Sequence, residues 1–459
     1  MKKSNSQALD LNKGNPMKLL ILFAIPMLIG SIFQLLYNMV DSITLGKFVS
    51  AEALASVGAT GSTFSMFVMA SNAATNVMSI LISQAWGAKD EKRIKKNVAH
   101  AMYLSVAWSV VFGLIAFFVA RPMMNLLGTP DNIIEGSVSY IKITCGLMIT
   151  SLLYNSSAAI LRAIGDSKTP LYFLILCSIL NIVLDLLFVL ALGGGVAGVA
   201  WATVISQAIS SVLCITYMWK KYPLLRFSHE DMALDKKIIT TFGKMAGPML
   251  IQNLSLSVGM LVITSVINSF GSDIVAAYTV GSKVEQIVVI TFSQVAFSFS
   301  VYAGQNFGAK KYDRIDLGMK KAGLLLTCLI SFSMIIMLTF ARPLALLFVN
   351  SDNTAILNAG IQMIRVEGCF LPALGSIWLF NSCLRGMGHI LPTVVSSFVE
   401  LLSQIGLSIA LSAIFGAIGI WFSAPIGWVL GLIPSVLFYF FSGWKKKAIA
   451  ADDKAALEK

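Results

Sequence analysis

Apolar residues run along this chain in long blocks, not in a strand-like alternation, and most blocks reach or exceed the about 20 residues a helix needs to cross about 30 Å of hydrocarbon. They occupy residues 18–44, 52–84, 96–120, 132–162, 169–191, 196–219, 240–270, 273–304, 318–341, 353–384, 390–412 and 416–443. Only helices or closed barrels can satisfy a backbone in lipid, and blocks this long fit helices. The pattern predicts an all-α polytopic membrane protein with twelve transmembrane helices.

Loop charge tests that prediction independently, because Lys and Arg accumulate on the cytoplasmic side. With the N-terminus placed inside, 28 of the 34 Lys and Arg fall in cytoplasmic segments. They include Lys2, Lys3, Lys13 and Lys18, the Lys89–Lys96 and Lys220–Lys244 stretches, and Lys445, Lys446, Lys447, Lys454 and Lys459. Lys47, Arg121 and Arg342 fall outside. Both termini are therefore expected in the cytoplasm of a bacterial inner membrane. The composition agrees, with 57% hydrophobic and 12% charged residues and a mean hydropathy of +0.80. Topology and headgroup contact account for the net charge of +12, so no nucleic-acid partner is called for. The polar start runs directly into a span too long for a signal-peptide core, so the first helix is expected to act as an uncleaved signal. Six cysteines without CxxC spacing sit in apolar blocks and read as packing residues, with no disulfide or metal implied.

The chain repeats itself. Gln84-Ala85-Trp86-Gly87-Ala88-Lys89 returns as Gln305-Asn306-Phe307-Gly308-Ala309-Lys310, Arg121-Pro122 as Arg342-Pro343, Leu161-Arg162-x-x-Gly165 as Leu384-Arg385-x-x-Gly388, and Pro26-Met27-Leu28-Ile29 as Pro248-Met249-Leu250-Ile251. Each copy spans six helices, an even number, so the copies enter the membrane in the same orientation and form parallel repeats with a substrate cavity expected between them. The expected organisation is an N-terminal lobe at 1–219, a cytoplasmic linker at 220–239 and a C-terminal lobe at 240–459, two pseudo-symmetric six-helix lobes.

Five acids fall inside spans: Asp41, Asp185, Glu285, Glu367 and Glu400. An ionised group in hydrocarbon marks a transport or proton pathway by default. Asn181 and Asp185 share one face of the fifth span, four residues apart, while Tyr37 and Asn38 stand four and three residues before Asp41 on the first. Counting about 1.5 Å per residue from the basic anchors puts Asp41 and Asp185 at similar depth in the outer half of the first lobe. Two carboxyls so placed can hold and release a proton or coordinate a small cation, and protonation would change how the first helix packs. Pro26 lacks a backbone donor and supplies a kink point there.

Glu285, Glu367 and Glu400 lie near midspan in the second lobe, where they either make ion pairs between helices, with Lys283 and Arg365 nearby in sequence, or line the cavity with negative charge. The 21 methionines and 28 phenylalanines suit a loosely specific apolar cavity. His100, His229 and His389 are too scattered for a metal site, and nothing resembles a nucleotide-binding loop that would let ATP drive transport.

The paired Gln84-x-x-Gly87-Ala88 and Gln305-x-x-Gly308-Ala309 turns, the Leu161-Arg162-Ala163-x-Gly165-Asp166 turn and the Pro26–Asp41 run together resemble the multidrug and toxic compound extrusion (MATE) family over nearly the whole chain. The resemblance implies a MATE/MOP-type fold with a V-shaped cavity and a cofactor-free, cation-coupled antiporter of amphiphilic, often cationic drugs. The chain is similar to the DinF-like branch. That likeness implies that Asp41 works with Asn181, Asp185 and Thr203, and that Tyr140 and Asn155 match further polar positions of the pocket. Another branch, coupled to sodium, carries an acid on the seventh span, but residues 248–268 contain none.

The expected protein is thus a monomeric antiporter, not an enzyme. A proton is the coupling ion, with sodium at Asp41, Asn181, Asp185 and Thr203 as the alternative. A flippase of lipid-linked precursors is the rival reading. It would call for several cavity cations, whereas acids outnumber bases five to three within the spans. A passive channel would need a regular ring of charges along a pore, which the chain lacks.

Overall fold

A computed structural model describes residues 8–457, so Lys2, Lys3 and Lys459 of the charge pattern lie outside the described residues. The helices are α1 (Pro16–Phe48), α2 (Ala51–Ala59), α3 (Gly61–Gly87), α4 (Glu91–Leu126), α5 (Asp131–Thr144), α6 (Ile149–Ala163), α7 (Lys168–Leu186), α8 (Gly195–Lys221), α9 (Lys236–Asn268), α10 (Ser272–Gly308), α11 (Tyr312–Thr339), α12 (Ala341–Leu346), α13 (Thr354–Gly386), α14 (Ile390–Phe415), α15 (Ala417–Phe441) and α16 (Trp444–Leu457). Among the described residues eleven helical segments are long and apolar enough to cross a membrane by themselves, and α5 with α6, bent by 46°, forms a twelfth. All twelve fall on the apolar blocks, with one correction: the 52–84 block breaks at Thr60 into the short α2 and the spanning α3. Large side chains such as Phe118, Leu126, Phe332 and Phe440 are exposed, as lipid-facing residues must be. Cys328 and Cys369 are exposed too, so these two present their thiols at the helix surface and do not fill the interior.

Packing divides the chain into two compact units at places the loops do not mark. The first comprises Met1–Asp10 and Ile25–Asn253, the second Leu11–Ala24 and Leu254–Lys459. The boundaries fall inside α1, one residue before Pro26, and inside α9, five residues after Pro248, not in the 220–239 stretch. The charged linker is a polar loop, but it is the side chains of α1 and α9 that change partners. α1 itself runs as a single helix through Pro26.

The sequence repeat reappears as a repeat of backbone conformation. Among the described residues, the two non-glycine positions with positive φ are Lys89 at 55° and Lys310 at 59°, each just beyond the end of a span. Both close a helix in the left-handed conformation more often given to glycine. Gly165 and Gly388 likewise share positive φ, 99° and 87°. At Gly165 a Cβ would lie 2.2 Å from the carbonyl oxygen of Leu9, whose N–H donates to the Gly165 carbonyl at 3.0 Å, so only glycine admits this strand of chain. The next residue, Asp166, is buried and accepts from Thr169 N–H (3.0 Å), Thr169 Oγ1 (2.6 Å) and Tyr222 Oη (2.6 Å), with Lys221 Nζ at 3.7 Å. The first copy of the turn is thereby pinned by its own carboxylate, whereas the second carries His389 at that place.

Candidate ion-coupling site

Close approach of two helices builds the site. A Cβ on Gly30 of α1 would stand 3.2 Å from Leu174 Cδ2 of α7, so glycine lets the helices meet there. Asp41 and Asp185 each lie eleven residues beyond these contact points, from 30 to 41 and from 174 to 185. Eleven residues are about three turns, which returns both side chains to the contacting faces at the same height. The two carboxyls accordingly act on each other electrostatically. Asp41 is 8% exposed and Asp185 0%.

Around them the structure gathers Tyr37, Tyr140, Asn181 and Thr203. Tyr37, half-buried one turn before Asp41, interacts with the Asp41 carboxyl, the Thr203 hydroxyl and the Tyr140 phenol. Asn181 Nδ2 donates to Thr203 Oγ1 at 3.5 Å, and Thr203 Oγ1 donates in turn to the Val199 carbonyl at 3.0 Å. Asp41 Oδ1, Asn181 Oδ1 and both Asp185 oxygens are buried without a hydrogen-bond donor of normal geometry. Among the described residues, no Lys or Arg forms an ion pair with either aspartate. Buried polar oxygens normally have partners, so a cluster lacking them is suited to receive a cation or a proton.

Two expected members stand apart. Asn38 is exposed, because the single-residue step from Tyr37 rotates it by about 100° around α1, to the far edge of the face that Tyr37 and Asp41 share. Asn155 on α6 is half-buried and makes no hydrogen bond to the group, whereas its neighbour Tyr154 reaches α7 by donating to the Pro170 carbonyl at 3.0 Å. One member was missed by sequence reasoning. Cys177 interacts with Tyr37, Ser206 and Ser210 and completes a stripe 177, 181, 185 along α7, a four-residue spacing that was there to be read. Immediately after Asp185 and Leu186 the helix widens into one π-helical turn, Leu187–Ala191, and such turns often sit beside functional residues.

The second unit holds its own acidic group. Glu285 of α10 interacts with Glu367 of α13 and Glu400 of α14, and Tyr278 faces the first two. Glu367 is 3% exposed and its Oε2 lacks a partner. Lys283 and Arg365 are exposed and form no ion pair among the described residues, so the expected helix-to-helix pairs with them are not made. A two-residue offset from each acid turns these cations to a different face of their helices. Arg385 acts on Glu400 at longer range.

The sequence profile of the MatE family matches this chain twice, at residues 26–187 and 248–409. The chain belongs to the MatE family. The two matches are offset by 222 residues, as the internal duplication requires. Among relatives of this MatE chain, the "Probable multidrug resistance protein YoeA" of Bacillus subtilis is 28% identical over 93% of this chain and 94% of its own length. A crystal structure of MATE in the bent conformation superposes with a TM-score of 0.88 at 23% identity, covering 98% of this chain and 99% of the other. A MOP superfamily transporter from Pyrococcus furiosus also gives 0.88 at 22% identity, covering 97% and 98%. The protein is a multi-pass membrane transporter of the multidrug efflux family with the MATE/MOP fold, and not an enzyme.

Proposed function

We propose that this MatE protein is a proton-coupled antiporter of the DinF-like, N-lobe-coupled kind, which exports amphiphilic, often cationic organic compounds by alternating access. The observation that carries the reading is the buried Asp41–Asp185 pair with no basic partner among the described residues. Two carboxylates in contact repel when both are charged, and a proton or small cation taken up between them removes the repulsion. Uptake from one side and release to the other then biases an equilibrium between two packings of α1, provided ion and drug favour different states. Tyr37, Asn181 and Thr203 orient the pair. The setting is the bacterial inner membrane, both termini are cytoplasmic, and the protein works as a monomer.

The deciding experiment imposes proton and sodium gradients independently on proteoliposomes and follows efflux of a fluorescent cation. A proton gradient should suffice, and Asp41→Asn should abolish drug-induced proton movement in a protein that still folds. Retained drug–proton exchange in Asp41→Asn would reject the assignment.

A second reading draws on the Glu285–Glu367–Glu400 group, whose buried Glu367 Oε2 lacks a partner. There the coupling ion, sodium or proton, binds in the second unit. Glu367→Gln should then abolish coupling while Asp41→Asn spares it. A flippase of anionic lipid-linked precursors is disfavoured by the surplus of acids in both groups.

A further inference from the structure

We propose that the cleft between the start of α4 and the start of α9 is a binding site for the phosphate-bearing headgroup of an anionic phospholipid. A cavity of about 360 Å³ opens there, bordered by Lys92, Arg93 and Lys96 of α4, Lys237 of α9, Asp90 and Asp235. The two acids are already engaged within the chain. Asp90 Oδ1 caps α4 by accepting from Arg93 N–H at 3.0 Å. Asp235 Oδ2 pairs with Lys96 Nζ at 3.2 Å, and its Oδ1 accepts from the N–H groups of Lys237 at 3.0 Å and Ile238 at 3.4 Å. Lys92, Arg93 and Lys237 form no ion pair among the described residues, and the four cations against two acids leave a net excess of two positive charges at the cavity.

The other repeat supplies an internal control. Beyond its copy of the same turn lies a second basic cavity, of about 700 Å³, bordered by Lys310, Lys311, Arg314 and Lys445. There the chain itself provides the oxygens. Lys310 pairs with Asp452 at 2.9 Å, and Lys445 with Asp313 at 2.7 Å and Asp316 at 2.6 Å. Lys311 Nζ donates to the Asn12 carbonyl at 3.0 Å, and Arg314 Nη2 to the carbonyls of Gly14 at 2.9 Å and Leu11 at 3.3 Å. The second repeat covers its cations with α16 and the segment before α1, whereas in the first repeat three of the four form no ion pair among the described residues and the surplus positive charge is left for an external anion.

Depth and polarity select a lipid over a free anion. The cavity lies where three apolar spans begin or end, α3 at Gly87, α4 at Glu91 and α9 at Lys236, and Leu81 and Ile238 form its apolar part. Met232 and Leu234, 46% and 74% exposed, project from the chain just before Asp235 and offer apolar surface beside the cleft. Basic pockets between membrane helices on the cytoplasmic side hold anionic headgroups in this way.

The test is a native mass spectrometry titration of the full-length protein in detergent with phosphatidylglycerol and with phosphatidylcholine of the same acyl chains. Phosphatidylglycerol should bind and phosphatidylcholine should not. The triple variant Lys92→Gln, Arg93→Gln, Lys237→Gln should bind phosphatidylglycerol about tenfold or more weakly. Removing equal charge from exposed Lys168, Lys220 and Lys320 should leave binding unchanged, and Lys92→Arg with Lys237→Arg should retain it. An equal loss in the Lys168, Lys220, Lys320 control, or none in the triple variant, overturns the proposal. So does glycerol 1-phosphate binding as tightly as the lipid, which would assign the cleft to a soluble anion.

Discussion

Asn181 on α7 points its amide nitrogen at the Thr203 hydroxyl on α8, 3.5 Å away, and both side chains are buried. The contact ties the helix carrying Asp185 to its neighbour, and it leaves Asn181 Oδ1 as a buried acceptor without a donor. Thr203→Val, nearly the same shape without the hydroxyl, should therefore lower the rate of drug-driven proton flux. Its cost in thermal stability should be about 1 kcal/mol, the scale of one neutral hydrogen bond. Thr203→Ser keeps the oxygen and should stay close to the parent protein in the same flux assay. Equal flux from Thr203→Val and Thr203→Ser would remove Thr203 from the site.

Lys89 and Lys310 adopt a left-handed backbone that a Cβ disfavours, with φ of 55° and 59°. Replacing either by glycine relieves about 1 kcal/mol of strain, partly offset by the greater freedom of glycine in the unfolded chain. Lys89→Gly should raise the midpoint of thermal unfolding in detergent slightly, and Lys89→Val should lower it. Lys310→Gly gives a smaller gain, because it also loses the ion pair to Asp452 at 2.9 Å.

Two glycines in the second unit look alike in sequence and should respond differently. A Cβ at Gly386 would lie 2.2 Å from the backbone oxygen of Ser300, whereas one at Gly281 would meet the flexible Met363 side chain, 2.3 Å from Sδ. Backbone can yield only by separating α13 from α10. Gly386→Ala is thus expected to destabilise by about 2–4 kcal/mol and Gly281→Ala by under about 1.5 kcal/mol, since Met repacks readily. Denaturation midpoints of the two variants in one detergent provide the comparison.

These cases mark what the chain disclosed before its structure was known. Twelve apolar blocks fixed the spans, because a lipid solvent imposes a length and forbids unpaired backbone. The turn at Gln84–Lys89 and its copy at Gln305–Lys310 were legible as repeats, and their shared positive φ follows from shared sequence. Asp41 and Asp185 were legible as a pair because counting from basic anchors put them at one depth and the family resemblance implied the same partners. Nothing of that kind brought Glu285, Glu367 and Glu400 together, since they meet through tertiary packing of α10, α13 and α14. The change of unit inside α1 and α9 escaped for the same reason. It is a property of which side chains touch, while charge and loop length mark only where the chain leaves the membrane.

The linker before α9 is anchored by Asp235, and acid should release it. Its carboxyl is held below the ordinary range chiefly by the hydrogen bond from Lys96 Nζ, helped by the N–H groups of Lys237 and Ile238. A carboxyl whose folded pKa is depressed contributes stability at pH above its unfolded value of about 3.9, and that contribution fades as pH falls through the lower folded value. The carboxylate's share of the anchoring should therefore be constant near neutrality and weaken below about pH 4. His100 shares the contact: its Nε2 accepts from Asp235 N–H at 3.1 Å while its Nδ1 lies 2.8 Å from the Lys96 carbonyl. That arrangement requires a neutral ring donating from Nδ1, so His100→Gln should loosen the linker at neutral pH as well. Hydrogen exchange across residues 228–238 reads both effects. Asp235→Asn should exchange faster than the parent at neutral pH and lose the acid-induced change, and a parent-like acid response in Asp235→Asn would assign the release to another group.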